Sequence, residues 1–205
     1  MDIKNHWENI YATKRPDEVS WYQPAPEESI NFFNQLLIPK TAPVIDIGGG
    51  DSLLVDHLLD MGYTDLTVLD ISSKAINRAK KRLGSRAKSV KWIISDITDF
   101  KTIRKYDCWH DRAAFHFLNS AEQVEKYIEI ANNHITPKGK LILATFSTDG
   151  PDKCSGLTVK KYNQKLLVNT LKKWFSKIKC ITANHTTPFN TKQSFLFCSF
   201  KKIAV

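Results

Sequence analysis

Acids nearly vanish from the last quarter of this chain: residues 151–205 carry 11 lysines and one acid, Asp152, whereas residues 1–150 carry 19 Lys+Arg and 20 Asp+Glu. Other absences exclude whole classes. No apolar run approaches the ~20 residues of a membrane span. The start, Met1-Asp2-Ile3-Lys4-Asn5-His6-Trp7, lacks the apolar stretch of a secretory signal. The four cysteines (Cys108, Cys154, Cys180, Cys198) are scattered, with no Cys-x-x-Cys pair. Neither a disulfide framework nor a zinc site is expected from them, no metal is expected, and a reduced cytoplasmic protein is the default. No Gly-Lys-Ser/Thr occurs, which removes a P-loop.

What remains is ordinary for a globular chain. Of its 205 residues, 42% are hydrophobic and 25% charged. That length and composition predict one domain, with no membrane partner. The net charge of +9 has two readings. The lysine-rich end is either a docking face for an acidic partner, nucleic acid or protein, or a solvated surface. Nucleic acid is the less favoured of these partners, and a monomer or weak dimer is expected.

Strand and helix signals alternate along the chain. Helices are expected over 27–38, 52–61, from Ser72 or Ser73 to about 83, and 121–135; strands over 43–47, 66–69, 90–94, 106–109 and 141–146. Pro137 and Gly139 should separate the fourth of these helices from its following strand. After 147 the rhythm changes. A polar loop with Gly150, Pro151 and Gly156 leads to a helix near 162–175, then β-rich runs at 178–183 and 194–200 joined by turn residues. The pattern predicts an α/β fold: a Rossmann-like seven-stranded mixed sheet, mostly parallel, with an antiparallel C-terminal hairpin strand and helices on both faces.

The first strand ends in Val44-Ile45-Asp46-Ile47-Gly48-Gly49-Gly50-Asp51-Ser52. Glycine lacks a Cβ, so Gly48 and Gly50 let a ligand reach the main chain. A nucleotide site of an α/β sheet starts this way. A dinucleotide fingerprint, however, needs a third glycine where Leu53 stands. Asp46 would also repel a pyrophosphate. A ligand that is neutral to cationic suits this loop better.

Asp-x-Gly-x-Gly-x-Ser at the end of a first strand resembles the glycine loop of class I S-adenosylmethionine (SAM) methyltransferases. Leu69-Asp70-Ile71-Ser72 looks like that family's second motif and Ser95-Asp96-Ile97 like its third. The resemblance implies that Asp70 accepts the ribose hydroxyls, Asp96 the adenine amino group, that Ile97 lies against the adenine face, and that Ile71 is among the cofactor-binding residues. His6-Trp7-Glu8-Asn9-Ile10-Tyr11 and Val19-Ser20-Trp21-Tyr22-Gln23 resemble the N-terminal segment of a bacterial subgroup whose eukaryotic relatives include protein-lysine methyltransferases. It implies that Trp7, Tyr11 and Trp21 close over the cofactor. Trp109 to Leu118, Lys153 to Leu157, and Thr187-Pro188 with Gln193 to Phe200 extend the likeness over nearly the whole chain. Ser52 departs from a common glycine but stays small. No Asn-Pro-Pro-Tyr follows the fourth strand, which argues against methylation of adenine in DNA. On this view residues 1–42 cover the cofactor, 43–146 form the nucleotide-binding core, and 147–205 supply a substrate loop and hairpin.

Each site residue also has a purely structural reading. Asp46 could satisfy loop N–H groups, Asp96 could cap a helix, and the three aromatics could simply pack. His110, Asp111 and His116 lie at the end of the fourth strand, where ligands bind in open α/β sheets. They are the catalytic candidates, with His110 also placed to orient the methionine end of the cofactor; the alternative is hydrogen-bonded histidine among aromatics. Cys154 reads as a loop cysteine. The expected activity is in-line methyl transfer from SAM to a small molecule or protein side chain. A non-catalytic binding module for an acidic protein or RNA is the alternative, and a nicotinamide enzyme is disfavoured by Leu53. The acceptor lid is expected from 147–162 and the turn near Thr187.

Overall fold

The computed structural model describes residues 2–203. Nine strands and six α-helices follow one another among them. Helices α1 (Ile3–Thr13) and α2 (Glu27–Gln35) precede β1 (Val44–Ile47). Then come α3 (Leu54–Asp60), β2 (Leu66–Asp70), α4 (Ser73–Leu83), β3 (Val90–Ile94) and β4 (Tyr106–Arg112). Next are α5 (Ala121–His134), β5 (Ile135–Phe146), the two-residue strands β6 (Lys153–Cys154) and β7 (Leu157–Thr158), α6 (Gln164–Leu171), β8 (Phe175–Thr186) and β9 (Lys192–Lys202). Seven of the strands form one sheet in the order β3-β2-β1-β4-β5-β9-β8. The first five are parallel, and β9 runs antiparallel to both β5 and β8. Among the described residues no helix is long and apolar enough to cross a membrane.

Period-two alternation divides the core in two. Ile45, Trp109, Leu141 and Leu143 face α5 and α6, packing with Tyr127 and Leu167. Their neighbours Val44, Cys108, Ile142 and Ala144 face the opposite side with Phe33, Leu58 and Ile76 of α2, α3 and α4. Strands covered on both faces read as continuous apolar runs, which is why β1 and β2 were visible in sequence. The reversal of order at β1, between β2 and β4, leaves a crevice beyond their carboxyl ends.

Two expectations need correction. Strand β5 begins at Ile135, directly after α5, and runs through Pro137 and Gly139. The register shifts between the Tyr106–Ile135 and Cys108–Lys140 pairs, so a bulge absorbs both residues instead of a loop. The cysteines are not all unpaired either: Cys180 and Cys198 form a disulfide. They face each other in the β8–β9 register, a pairing of residues 18 apart in sequence that spacing alone could not show. A cystine also removes the support that scattered cysteines lent to a reducing compartment.

Candidate active site

A cavity of about 270 Å³ opens in that crevice. Gly48 and Gly49 of the glycine loop line it, whereas Gly50 is not among the lining residues. Gly48 (φ +63°) and Gly50 (φ +42°) occupy the left-handed region that side chains resist. Space imposes the same choice, since a Cβ on Gly48 would lie 2.7 Å from Ala114 Cβ, and one on Gly50 2.7 Å from Asp70 Oδ2. Ser52 is explained locally, because its Oγ accepts the Leu54 N–H at the start of α3.

Three carboxylates line the cavity from successive strand ends: Asp46 on β1, Asp70 on β2 and Asp96 just after β3. Asp70 Oδ1 accepts the Ser72 N–H at 2.8 Å. Burial, reinforced by Asp46 and Glu8 and opposed by that hydrogen bond, lifts Asp70 from 3.8 to about 7. Asp96 Oδ1 accepts from Thr98 N at 2.7 Å and Thr98 Oγ1 at 2.8 Å. It therefore caps the turn Ile97–Asp99 and lines the cavity at once. Ile71, after Asp70, and Ile97, after Asp96, line the cavity too.

Asp46 and His110 are paired across β1 and β4. Asp46 Oδ1 lies 2.7 Å from His110 Nδ1, and His110 Nε2 lies 2.8 Å from Ser29 Oγ on α2. All three residues are buried and line the cavity. A carboxylate on Nδ1 fixes the tautomer and leaves Nε2 to face the serine hydroxyl.

Trp7, Tyr11 and Trp21 do come together, and Phe117 joins them. Trp7 stands 5.1 Å from Phe117, 5.7 Å from Trp21 and 6.3 Å from Tyr11, between ring centroids. These four rings form the cavity's aromatic side. Helix α1 carries Trp7 and Tyr11 yet has no buried residue. What ties it down is Glu8, whose carboxylate accepts from Ser72 Oγ, Ser73 N, Ser73 Oγ and Lys74 N at 2.7–3.1 Å. Burial works to raise Glu8, but these bonds, led by those from Ser73, hold it at about 2.

The structure does not bring Asp111 and His116 to the cavity. Asp111 is fully buried. It accepts from Ala114 N, Phe115 N and the Tyr127 hydroxyl at 2.7–3.1 Å. It thereby shapes the turn that puts Ala113 at φ +72° and delivers Ala114 and Phe117 to the cavity. His116 Nδ1 accepts the Phe146 N–H at 3.2 Å. Burial, then the nearby Arg112 charge, depress its pKa to about 3, so it stays neutral. Both are placed to position others.

Four lining or anchoring residues escaped the sequence: Ser29, Phe117, Arg112 and Glu8. Arg112 carried one signal, a cation closing the strand that also holds His110 and Asp111. From the 147–162 loop, only Cys154 reaches the cavity among the described residues. At the end of that loop, Lys160 N donates to His116 O and Tyr162 N to Phe146 O.

A family profile described as a methyltransferase domain matches residues 38–196. The chain belongs to that family. The sheet order, the glycine loop and the carboxylates at successive strand ends are those of a class I SAM-dependent methyltransferase fold, and the profile spans the glycine loop and all three of those carboxylates. Among curated relatives, the eEF1A lysine and N-terminal methyltransferase of Mus musculus is 30% identical over 97 residues, which is 47% of this chain and 14% of that protein. The chain thus spans a small part of that relative. Among solved structures, the N-methyltransferase NodS from Bradyrhizobium japonicum WM9, in complex with S-adenosyl-L-homocysteine (SAH), superposes with a TM-score of 0.71 at 17% identity, covering 98% of this chain and 99% of that one. A structure concerned with conversion of a disulfide bond into a thioacetal group during echinomycin biosynthesis gives 0.79 at 15% identity, covering 98% and 93%. At such identities these two neighbours speak for the methyltransferase fold.

Proposed function

We propose that this methyltransferase uses SAM and transfers its methyl group in line to a small molecule or a protein side chain. One observation carries the reading. Carboxylates on three successive strand ends, Asp46, Asp70 and Asp96, face one cavity whose fourth side is aromatic. That supports a ligand with a cationic centre beside Asp46 and the aromatic rings, ribose hydroxyls at Asp70, and a base near Asp96, Ile71 and Ile97. Gly48 and Gly50 give the room for its close approach.

SAM supplies the electrophilic methyl carbon and the leaving group. The chain's own work is to exclude water, hold the acceptor and manage its proton. Trp7, Tyr11, Trp21 and Phe117 do the first. His110 is our candidate base. With Asp46 on Nδ1, it takes a proton at Nε2, by way of the Ser29 hydroxyl that stands there. A thiol, neutral amine or carboxylate acceptor needs less of this help than a hydroxyl or carbon. The mouse relative is named for action on lysine and N-terminal groups, so a protein amine belongs among the acceptors to be tried.

Titration calorimetry with SAM and with NAD tests the cofactor. Heat from SAM and none from NAD is expected, and silence from SAM at high micromolar concentration sinks the proposal. Radiolabelled-methyl transfer into protein, RNA and small-molecule fractions of a host lysate then finds the acceptor. Label confined to RNA would overturn our acceptor class.

A further inference from the structure

The uneven charge along the chain becomes a place in the fold. Strands β4 and β5 begin at the end of the sheet away from the cavity, and there antiparallel β9 ends and β8 begins. Lys140 of β5 stands directly opposite Lys201 of β9. Lys179 of β8 is one row further along the same face, in line with Ser199 and Ile142. Lys177 is on β8 as well, and Lys172 and Lys173 lie just before it, where the Ile203 N–H donates to the Trp174 carbonyl. Lys140 is half-buried and the other five lysines are exposed. Acids are elsewhere. From residue 130 on they are Asp149 and Asp152 alone, and both follow the far end of β5, on the cavity side. Asp107, near the start of β4, accepts from the Thr136 hydroxyl at 2.7 Å. Of the 11 lysines after residue 150, Lys161 alone makes an ion pair among the described residues, with Asp152 at 2.7 Å. Lys105 and Lys202 at this end have a structural use: they donate to the carbonyls of Asn132, Asn133 and Ile135 where α5 ends. Lys179 reaches the Gln35 side chain at 2.8 Å and Lys173 lies 4.8 Å from the Trp174 ring centroid, but neither gains a counter-charge.

Like charges directly across a sheet destabilise it, so Lys140 facing Lys201 carries a cost that a bound polyanion removes. Two observations select the polyanion. No arginine follows Arg112. Protein interfaces are enriched in arginine and depleted in lysine, whereas contacts to a phosphate backbone need charge and carry little geometry. The rim is also made of strand ends, not of a helix face or hairpin tip that could enter a duplex groove. A single strand can follow such a rim, and the half-buried Trp174 ring beside Lys173 offers a base a surface to stack on. Single strands in a cell are chiefly RNA. We infer that this lysine rim docks single-stranded RNA through its phosphates, at the end of the sheet opposite the cavity. The RNA is a docking partner there and not the methyl acceptor. The inference is independent of the SAM reading.

Fluorescence anisotropy of a labelled oligouridine tests it over a salt series. Wild type is compared with a rim variant (Lys140→Gln, Lys179→Gln and Lys201→Gln together) and with a control of equal charge from the cavity side (Lys153→Gln, Lys160→Gln and Lys192→Gln together). If all six rim lysines meet phosphates, log affinity against log salt should fall in wild type with a slope of about −4. The rim variant should lose about half of that slope and bind at least tenfold more weakly, while the control binds within threefold of wild type. Arginine at the same three rim positions should keep the affinity. Equal melting temperatures of all four proteins show that the variants have folded. Absence of binding by wild type at ~50 mM salt, or equal weakening in the rim and control variants, overturns the inference. Polyglutamate of equal charge that displaces the label as well as unlabelled oligouridine does overturns RNA in favour of an acidic protein. Failure of wild type to bind SAH would sink the SAM reading and leave these results as they stand.

Discussion

Replacing Glu8 with alanine should release α1 without melting the molecule. The helix has no buried residue, so its docking depends on the four hydrogen bonds to Ser72, Ser73 and Lys74 and on its aromatic contacts. Two routes give the size of the loss. Removing a side chain that caps a helix costs about 0.5–2 kcal/mol. The fall of the Glu8 pKa from 4.5 to about 2 corresponds to about 3 kcal/mol at most, which solvent screening of a partly exposed carboxylate reduces to about 1–2 kcal/mol. The two agree. Since Trp7 and Tyr11 ride on α1, that energy should appear as a 5- to 30-fold weaker affinity for SAH. Calorimetry on wild type and Glu8→Ala measures it, and hydrogen exchange reports whether the amides of α1 open faster. The acid dependence has a definite sign. A lowered folded pKa stabilises fully above about 4.5 and loses that contribution as pH falls toward about 2, so α1 should loosen in this window in wild type and show no such step in the variant. Unchanged exchange in Glu8→Ala would show that Glu8 does not hold the helix. Faster exchange with SAH affinity within twofold would show that the helix does not cover the cofactor.

Asp70 should make cofactor binding release a proton. Its folded pKa of about 7 lies above 3.8, so its stabilising effect is full below 3.8 and is lost as pH rises toward 7; ribose hydroxyls favour the ionised form and reverse that preference. At pH 6, calorimetry in two buffers of different ionisation heat should show close to one proton leaving per SAH bound, and Asp70→Asn should show none; equal release from both would move Asp70 off the ribose. Reducing the Cys180–Cys198 disulfide, which spans 18 residues, should cost about 3 kcal/mol by chain entropy. That lowers the melting temperature by about 6–12 °C, and Cys180→Ser should be insensitive to reductant. Identical melting of wild type with and without reductant would refute the link.

The elements legible in sequence were those whose signal is local. Strands β1 and β2 are mostly apolar and buried, broken only by Asp46 in β1 and by Thr67 and the closing Asp70 in β2, Ser72 announces α4, and Asp46, Asp70 and Asp96 stand at or near strand ends where acids have few other reasons to be. What escaped depends on register and distance. Pro137 and Gly139 look like a stop until the bulge opposite Tyr106 is known. Cys180 and Cys198 become partners only through hairpin pairing. Asp111 and His116 share the sequence neighbourhood of His110, but strand alternation and the tight turn at Ala113 send them into packed surroundings. Glu8 and Arg112 act across 64 and 91 residues, on Ser72 and Trp21 respectively, and no periodicity reports contacts of that separation.

The position of β9 also bears on how the chain is made. It is the last of the described strands to leave the ribosome, yet it lies inside the sheet, between β5 and β8. Until it emerges, β5 presents an open edge and β8 has nothing to pair with. Synthesis proceeds from the other end, so β1 to β5 can assemble early while β8 waits, a lysine-bearing ribbon whose charges discourage pairing with other chains. A nascent chain halted before residue 192 would carry a complete glycine loop and a sheet unfinished beyond β5.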